Sequence, residues 1–364
     1  MTVDPRALAK ISEGRRSVLV TGTNGKTTTT RLLVAAVGGE VATNATGANL
    51  RSGIVAAYAD CASDRAVIEV DELRLPDVLK QVTPEIVVCL NLTRDQLDRM
   101  HEVRRIVDRW RAALKQSGAI VVANVQDPNV VQAVIGCRTV WFDPGFQWRS
   151  DASACPACGE LLAWTDRDWS CDCGLAMPRP DFASSQGRVT WAGDQALDLR
   201  LSLPGAMNEA NAVAALAAAE VFGIPIPDAV ERMRRVSSVQ GRYGQVRVGA
   251  GSARLLLAKN PASWDQVITL VEGAPLIISV DAEAADGRDT SWLYDVAFER
   301  LRVPWIGVSG SRRHDMALRL HYAGMEVDVD DDPDRLAVRA PAGPLTVAAT
   351  YSSFKYFSRR ERLP

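Results

Sequence analysis

The sequence predicts an α/β fold in two domains, and three observations carry that prediction. Short apolar runs rich in Val and Ile alternate with segments of helical period. A glycine-bearing turn joins the first such run to the first long helix. Four cysteines cluster in a stretch whose composition differs from its surroundings. Strands alternating with helices imply a mostly parallel sheet covered on both faces. With 364 residues, 47% apolar and 24% charged, the chain has material for two or three domains with ample cores.

Taken in order, residues 17–21 read as a buried strand and 26–37 as a helix opening directly after the glycine turn. Residues 66–70, 85–90 and 119–125 are further strand-like runs. Between the last two, Ile106, Val107, Trp110, Ala113 and Leu114 recur at helical spacing within residues 104–116. From about 143 to 192 the chain becomes rich in Trp, Cys, Pro and Asp and loses helical period, as expected of a small insertion with its own stabilising device. Residues 208–222 form an Ala-rich helix stopped by Gly223-Ile224-Pro225, and 227–236 form a second one. The turn-forming Gln240-Gly241-Arg242-Tyr243-Gly244 marks the domain boundary, giving domains 1–240, with the insertion at 150–180, and 241–364. In the second domain 245–248, 254–258, 275–281 and 303–308 read as strands and 264–271 and 314–322 as helices, a Rossmann-like α/β unit. The acidic run 328–334 reads as a solvated loop.

Bulk properties exclude several classes. A net charge of −2 provides no basic surface for nucleic acid. No apolar run approaches the roughly 18 residues of a transmembrane helix, and residues 1–16 are too charged for a signal peptide. A cytoplasmic chain is therefore expected.

The seven cysteines divide into two groups. Cys61, Cys89 and Cys137 are scattered and read as buried free thiols. Cys155-Pro156-Ala157-Cys158 and Cys171-Asp172-Cys173 form two knuckles with twelve residues between them. Four thiolates so spaced can close around Zn²⁺ as a structural Cys₄ shell, and a cytoplasmic setting argues against disulfides. Such a ribbon would stabilise an insertion too small to bury a core.

The turn is Gly22-Thr23-Asn24-Gly25-Lys26-Thr27, continued by Thr28. Glycine-rich backbone after a strand, then Lys-Thr opening a helix, is a phosphate-cradling P-loop arrangement. Lys26 would reach the β/γ-phosphates and Thr27 would hold Mg²⁺. Where the usual motif has a further upstream glycine this chain has Val20, so the loop is a shorter variant. Glu69, Asp71 and Glu72 follow a strand at its carboxyl end, where ligands of open α/β sheets gather. Mg²⁺ needs only one or two carboxylates beside the phosphates. Glu72, then Asp71, are the first choices, although ordinary helix-start charges would explain that pair equally well.

Residues 21–29, Thr-Gly-Thr-Asn-Gly-Lys-Thr-Thr-Thr, resemble the ATP loop of the Mur ligases and folylpolyglutamate synthetases. These enzymes activate a carboxylate as an acyl phosphate and then form an amide. The likeness continues into Pro204-Gly205-Ala206-Met207-Asn208-Glu209-Ala210-Asn211-Ala212, similar to the family's Gly-x-x-Asn-x-x-Asn-x-x-Ala helix. It implies that Asn208, and after it Asn211, contacts the adenine ring or nearby substrate; capping of the helix by Asn208 is the alternative. The His-containing motif usual in the amino-acid-adding ligases is replaced by Arg94-Asp95-Gln96-Leu97-Asp98. Their separate N-terminal nucleotide-sugar domain is expected to be missing.

A Mur-type ATPase domain interrupted by a four-cysteine ribbon resembles the MurT family, synthetase subunits of lipid II isoglutaminyl synthase. Further agreeing segments are Thr43-Asn44-Ala45-Thr46-Gly47-Ala48-Asn49-Leu50, Ser52-Gly53-Ile54, the 94–99 segment, Ala258-Lys259-Asn260-Pro261, residues 286–295, Ser309-Gly310-Ser311-Arg312 and residues 315–319. The resemblance implies ATP-dependent amidation of the D-glutamate α-carboxyl of lipid II to D-isoglutamine, at the inner face of the membrane. It implies ammonia from a separate GatD-like glutamine amidotransferase in a heterodimer. The chain has only His101, His314 and His321, read as surface residues, and no evident Cys-His glutaminase of its own. By the same resemblance Asp289, then Asp295, assists the partner's Cys-His pair; either could instead cap a helix starting near Ser291. A Mur-like amino-acid ligase and a non-catalytic ATP-binding zinc-ribbon scaffold are the rival readings.

Overall fold

Arg16–Thr21, buried everywhere except its first residue, lies inside a nine-stranded sheet. The computed structural model describes residues 4, 6–44, 48–93, 103–146, 149, 151–193, 195–237, 243–283 and 288–360. These fall into two units, one running to Thr93 and resuming from Val103 through Ser237, the other from Tyr243 onward.

In the first unit the strand order is Gln195–Asp198, Arg188–Trp191, Phe182–Ser185, Thr139–Asp143, Ile120–Asn124, Ile86–Cys89, Arg16–Thr21, Arg65–Glu69 and Ala42–Thr43. Pairings from Ala42–Thr43 through Phe182–Ser185 are parallel, and the last two are antiparallel. The central strands are continuous apolar runs because both their faces are covered. Helix Lys26–Val37 has the bounds the apolar pattern predicts. Helix Ala206–Val221 packs along it and is buried on nearly all sides, which is why its sequence is mostly alanine. Val103–Ser117 buries Ile106, Val107, Trp110 and Leu114 and keeps its charged face outward.

The insertion is smaller than the composition suggests. Its two-stranded core, Ala163–Trp164 with Trp169–Ser170, lies before residue 182, and residues 182–198 rejoin the main sheet as an antiparallel meander. Those strands are only four residues long and partly exposed, so they carry little hydrophobic signal. The ribbon packs Ala152, Cys155, Leu162, Trp169 and Cys171 against Val131 of helix Pro128–Val134. The Trp169 indole donates to the Val125 carbonyl at 2.9 Å.

The second unit holds a six-stranded sheet ordered Tyr243–Val248, Gly251–Leu257, Thr346–Ala349, Leu276–Ser279, Ile306–Ser309 and Asp328–Val329. Its first pair is antiparallel and the rest are parallel. Ile278 faces a core containing Trp264, Phe298 and Met316, while Ile277 faces the opposite one, with Val347 and Phe357. Asn260 closes a capping box with Ser263 at the start of Pro261–Leu270. The strand expected over 303–308 begins only at Ile306, since Pro304 has no N–H for the ladder. The acidic run is not a simple solvated loop. Asp328–Val329 is an edge strand, Asp330 pairs with Arg335 and Arg339 at 2.6 and 2.7 Å, and Asp332 caps Pro333–Arg339.

No helix among the described residues is long and apolar enough to cross a membrane. Cys89 is buried, and burial pushes its thiol well above the usual range, but Cys61 and Cys137 are only half-buried.

Trp169→Phe keeps a smaller aromatic ring but removes the indole N–H that pairs the Val125 carbonyl. Urea unfolding is expected to show a loss of about 1–3 kcal/mol; an unchanged midpoint would mean that the ribbon is not tied down by this bond.

Candidate functional site

The loop between Thr21 and Lys26 owes its shape to two glycines. Gly25, the residue before the helix, has φ +86°, and a Cβ there would stand 2.3 Å from Asn211 Oδ1. Gly22 has φ +141°, and its Cβ would meet Leu90 Cβ at 2.9 Å. Asn211 therefore supports the loop directly, and its Oδ1 also accepts from Thr29 Oγ1 at 3.2 Å. Asn208 is buried one turn earlier and donates to the Pro204 carbonyl at 2.6 Å, a bond back along the chain, while Gly205 occupies the cap position.

Residues 91–93, just beyond strand Ile86–Cys89, form a rail beside the loop. Thr23 N donates to the Asn91 carbonyl at 2.9 Å. Asn24 N donates to Asn91 Oδ1 at 2.8 Å, and Asn91 Nδ2 returns a bond to the Asn24 carbonyl at 3.0 Å. Thr93 N donates to Thr23 Oγ1 at 3.1 Å, and Thr93 Oγ1 accepts from Asn24 Nδ2 at 3.2 Å.

Lys26 curls back into this loop. Its Nζ lies 2.9 Å from Glu72 Oε2 and 3.1 Å from the Thr23 carbonyl, and also bonds the Gly22 carbonyl. Lys26 and Glu72 are 4% and 5% exposed, so the ion pair is out of water. Burial alone would lower the lysine pKa, but the Glu72 and Glu69 carboxylates, with Asp71 further off, outweigh it and hold the pKa above the usual value.

Glu69 is clasped by Asn44, which accepts from its N–H at 2.7 Å and donates to its carbonyl at 2.8 Å. Asn49 Nδ2 donates to Glu69 Oε1 at 3.1 Å, whereas Glu69 Oε2 is buried with no hydrogen-bond partner among the described residues. An unpaired buried carboxylate oxygen is costly, and a hard cation such as Mg²⁺ would satisfy it. Asp71 turns a carboxylate oxygen to Leu73 N at 3.0 Å, and the Glu72 carbonyl accepts from the buried Trp110 indole at 2.8 Å.

The structure thus gathers the loop, Thr27, Thr28, Glu69, Asp71, Glu72 and Asn211 at one end of the parallel strands. Asp127 and Asn129, which also reach this region, were missed in the sequence reading; the Asp-Pro pair at 127–128 is a helix-start signal that could have found them. Ala45-Thr46-Gly47, residues 94–99, His101, Gln240-Gly241-Arg242, Asp286 and Gly287 lie outside the described residues.

The sulfurs of Cys155, Cys158, Cys171 and Cys173 all lie within 4.8 Å of one another, with pairs at 3.5 and 3.6 Å. Four sulfurs about 2.3 Å from one tetrahedral centre would stand roughly 3.8 Å apart. Burial raises the Cys155 pKa, but the Cys158 and Ala157 N–H groups and the neighbouring thiols bring it down to about 7. The donor set and its spacing fit zinc.

In the second unit Asp289 accepts from Ser291 N at 2.8 Å and Ser291 Oγ at 2.9 Å, at the start of the short 3₁₀ helix Ser291–Asp295. Those bonds hold its carboxyl below the ordinary range. Asp289 and Asp295 are both exposed, as are His314 and His321. Gly310 (φ +92°) brings Ser311 N to Asp281 Oδ1 at 2.8 Å, and a Cβ there would strike the Val280 carbonyl at 2.4 Å.

Both units match known families. The Mur ligase middle domain matches residues 20–143, and the MurT ligase C-terminal domain matches residues 257–354. The fold is shared with a pseudomurein peptide ligase type C from Methanothermus fervidus, with TM-score 0.75, 18% identity and coverage of 96% of this chain and 79% of that one. It is shared too with a Mycobacterium tuberculosis folylpolyglutamate synthase complexed with ADP, with TM-score 0.67, 15% identity and coverage of 99% and 96%. The molecule is an α/β protein of the Mur ligase class.

Its sequence relatives narrow the class. The chain is 30% identical over 360 residues to the MurT subunit of lipid II isoglutaminyl synthase (glutamine-hydrolyzing) from Staphylococcus aureus strain N315, covering 90% of this chain and 82% of that one. The Streptococcus pneumoniae subunit of the same name is 28% identical over 362 residues, with 88% and 80% covered. UDP-N-acetylmuramate–L-alanine ligase from Mycobacterium avium matches 68% of this chain but only 49% of its own length. The chain belongs to the MurT family.

Two outcomes test the site's construction. Elemental analysis is expected to find about one zinc per chain, and Cys158→Ser should lose it and melt at lower temperature; metal-free protein prepared without chelators would contradict the Cys₄ assignment. Gly25→Ala should cost about 1–2 kcal/mol in stability from the left-handed backbone alone and should weaken ATP binding further by displacing Asn211. Unchanged ATP affinity would show that the loop tolerates the shift.

Proposed function

We propose that this chain is the ATP-using synthetase subunit of a lipid II isoglutaminyl synthase. It amidates the α-carboxyl of D-glutamate in the lipid II stem peptide, with ammonia delivered by a GatD-like glutaminase subunit. The observation that carries the reading is the buried, charged Lys26 beside three carboxylates at the mouth of a strand–loop–helix turn. The chain's likeness to MurT subunits over four-fifths or more of both chains supports it.

A carboxylate resists nucleophiles until one of its oxygens becomes a leaving group. In the proposed reaction that oxygen attacks the γ-phosphorus of ATP and ADP departs, leaving an acyl phosphate. Ammonia then attacks the carbonyl carbon, inorganic phosphate leaves, and the nitrogen loses a proton to give D-isoglutamine. Lys26, held as a cation, offsets charge on the transferred phosphoryl group. The first turn of helix Lys26–Val37 adds N–H groups that lack intrahelical partners, a ready anion site. The loop is thus read as a short P-loop.

Thr27 and Glu69, joined by Asp71 and Glu72, would hold Mg²⁺, with the orphan Glu69 oxygen as the leading donor. The ion supplies neutralisation of the phosphate charge. Asn208 is assigned to the adenine side and Asn211 chiefly to loop support. The Cys₄ ribbon within 150–180 is structural. The 1–240 and 241–364 domains then divide ATPase and Rossmann-like parts, and the enzyme works in the cytoplasm at the inner membrane face. In the second domain Asp289, then Asp295, is assigned to assist the partner's Cys-His pair.

Incubation with ATP, lipid II and ammonium should yield an amide by product mass, and amino acids should not substitute. Lys26→Ala should lower kcat by about 10²–10³ and weaken ATP binding; unaltered turnover would reject the reading. Asp289→Asn should slow glutamine hydrolysis in the reconstituted complex while ammonium-driven amidation persists, and unchanged hydrolysis would remove Asp289 from that role.

A further inference from the structure

The rail that carries the nucleotide loop is itself held from the other side. Leu92 N donates to Asp127 Oδ2 at 2.7 Å, and the Leu92 carbonyl accepts from Asn129 Nδ2 at 3.3 Å. Just before the rail begins, the Leu90 carbonyl accepts from Asn124 Nδ2 at 2.9 Å. Asn91 and Thr93 meet the loop, and the residue between them meets Asp127 and Asn129.

Asp127 divides its two oxygens between two tasks. Oδ1 accepts from Asn129 N at 2.9 Å and Val130 N at 3.3 Å, capping helix Pro128–Val134, while Oδ2 takes Leu92 N. Capping alone does not require a carboxylate, since Ser, Thr or Asn caps as well. Burying an ionisable acid is costly, so its presence at this buried position calls for the second task. The helix it anchors is braced on its far side, where Val131 packs into the ribbon core.

We infer that Asp127 is a positioning residue for nucleotide binding: it fixes Leu92, and through Asn91 and Thr93 sets where Thr23 and Asn24 hold the loop. The inference rests on the reading of residues 22–27 as the ATP loop. Asp127 touches no substrate atom in this scheme and acts only through the rail.

The test uses the full-length, zinc-replete chain, with ATP affinity measured by calorimetry and ammonium-driven kinetics measured in parallel. Asp127→Asn retains an oxygen for the cap but presents an amide N–H group to Leu92 N or gives up the cap. It is expected to raise the ATP Kd and the ATP KM about tenfold, corresponding to one lost bond near 1.4 kcal/mol. The KM for lipid II, and kcat at saturating ATP, should stay within about twofold. Val131→Ala, in the same helix but facing the ribbon, should lower the melting temperature and leave the ATP Kd unchanged. Asn129→Ala keeps the carboxylate, should raise the ATP Kd in the same direction, and decides the matter if Asp127→Asn does not fold. A wild-type ATP Kd in the folded Asp127 variant, or in Asn129→Ala where that is the variant that folds, would overturn the inference. So would a Kd raised equally by Val131→Ala. Failure of the wild-type chain to bind ATP would instead remove the loop reading itself, and the inference with it.

Discussion

An ammonium group taken out of water costs several kcal/mol unless opposite charge and hydrogen bonds replace its hydration. Lys26 meets that demand with the Glu72 carboxylate and two carbonyls of its own loop. The constraint runs both ways, because Glu72 is equally buried and would be stranded without the lysine. Removing either partner of such a pair typically costs about 3–5 kcal/mol. The pair therefore needs the strand end that carries Glu69 and the loop after Arg16–Thr21 to emerge side by side. The parallel register, with Val20 opposite Glu69, does this.

The rest of the first unit is arranged around that requirement. Gly22 and Gly25 let the loop pass close to Leu90 and to Asn211. The 91–93 rail pairs with the loop through backbone and side chains alike, so loop geometry is inherited from the end of the neighbouring strand. The ribbon stands further out, but it shares a core residue with the helix whose cap grips the rail. The four-cysteine insertion and the 22–27 loop are thereby linked through packed, hydrogen-bonded contacts.

Local pattern made much of this legible. The helix at Lys26–Val37 was readable because a glycine turn precedes it and its bounds are local signals, and the cysteine spacing alone indicated a four-sulfur cluster. The meander over 182–198 was not readable, since its short strands owe their existence to the edge of a sheet built elsewhere in the chain. Long-range pairing was hidden as well: spacing brought Glu69, Asp71 and Glu72 to one strand end, but did not show that Glu72 pairs with Lys26 or that Glu69 Oε2 is buried without a hydrogen-bond partner among the described residues. Asn211 was expected near the nucleotide, and its contact with Gly25 depends on two helices packing together, which no spacing rule reveals.

Phosphoryl transfer from ATP to a carboxylate oxygen leaves an atomic trace. Lipid II carrying ¹⁸O in the D-glutamate α-carboxylate, incubated with this chain, ATP and ammonia, is the most direct probe. The account predicts that one labelled oxygen leaves with inorganic phosphate for each amide formed, while ADP accumulates. Label appearing in AMP, or phosphate released without label, would contradict it.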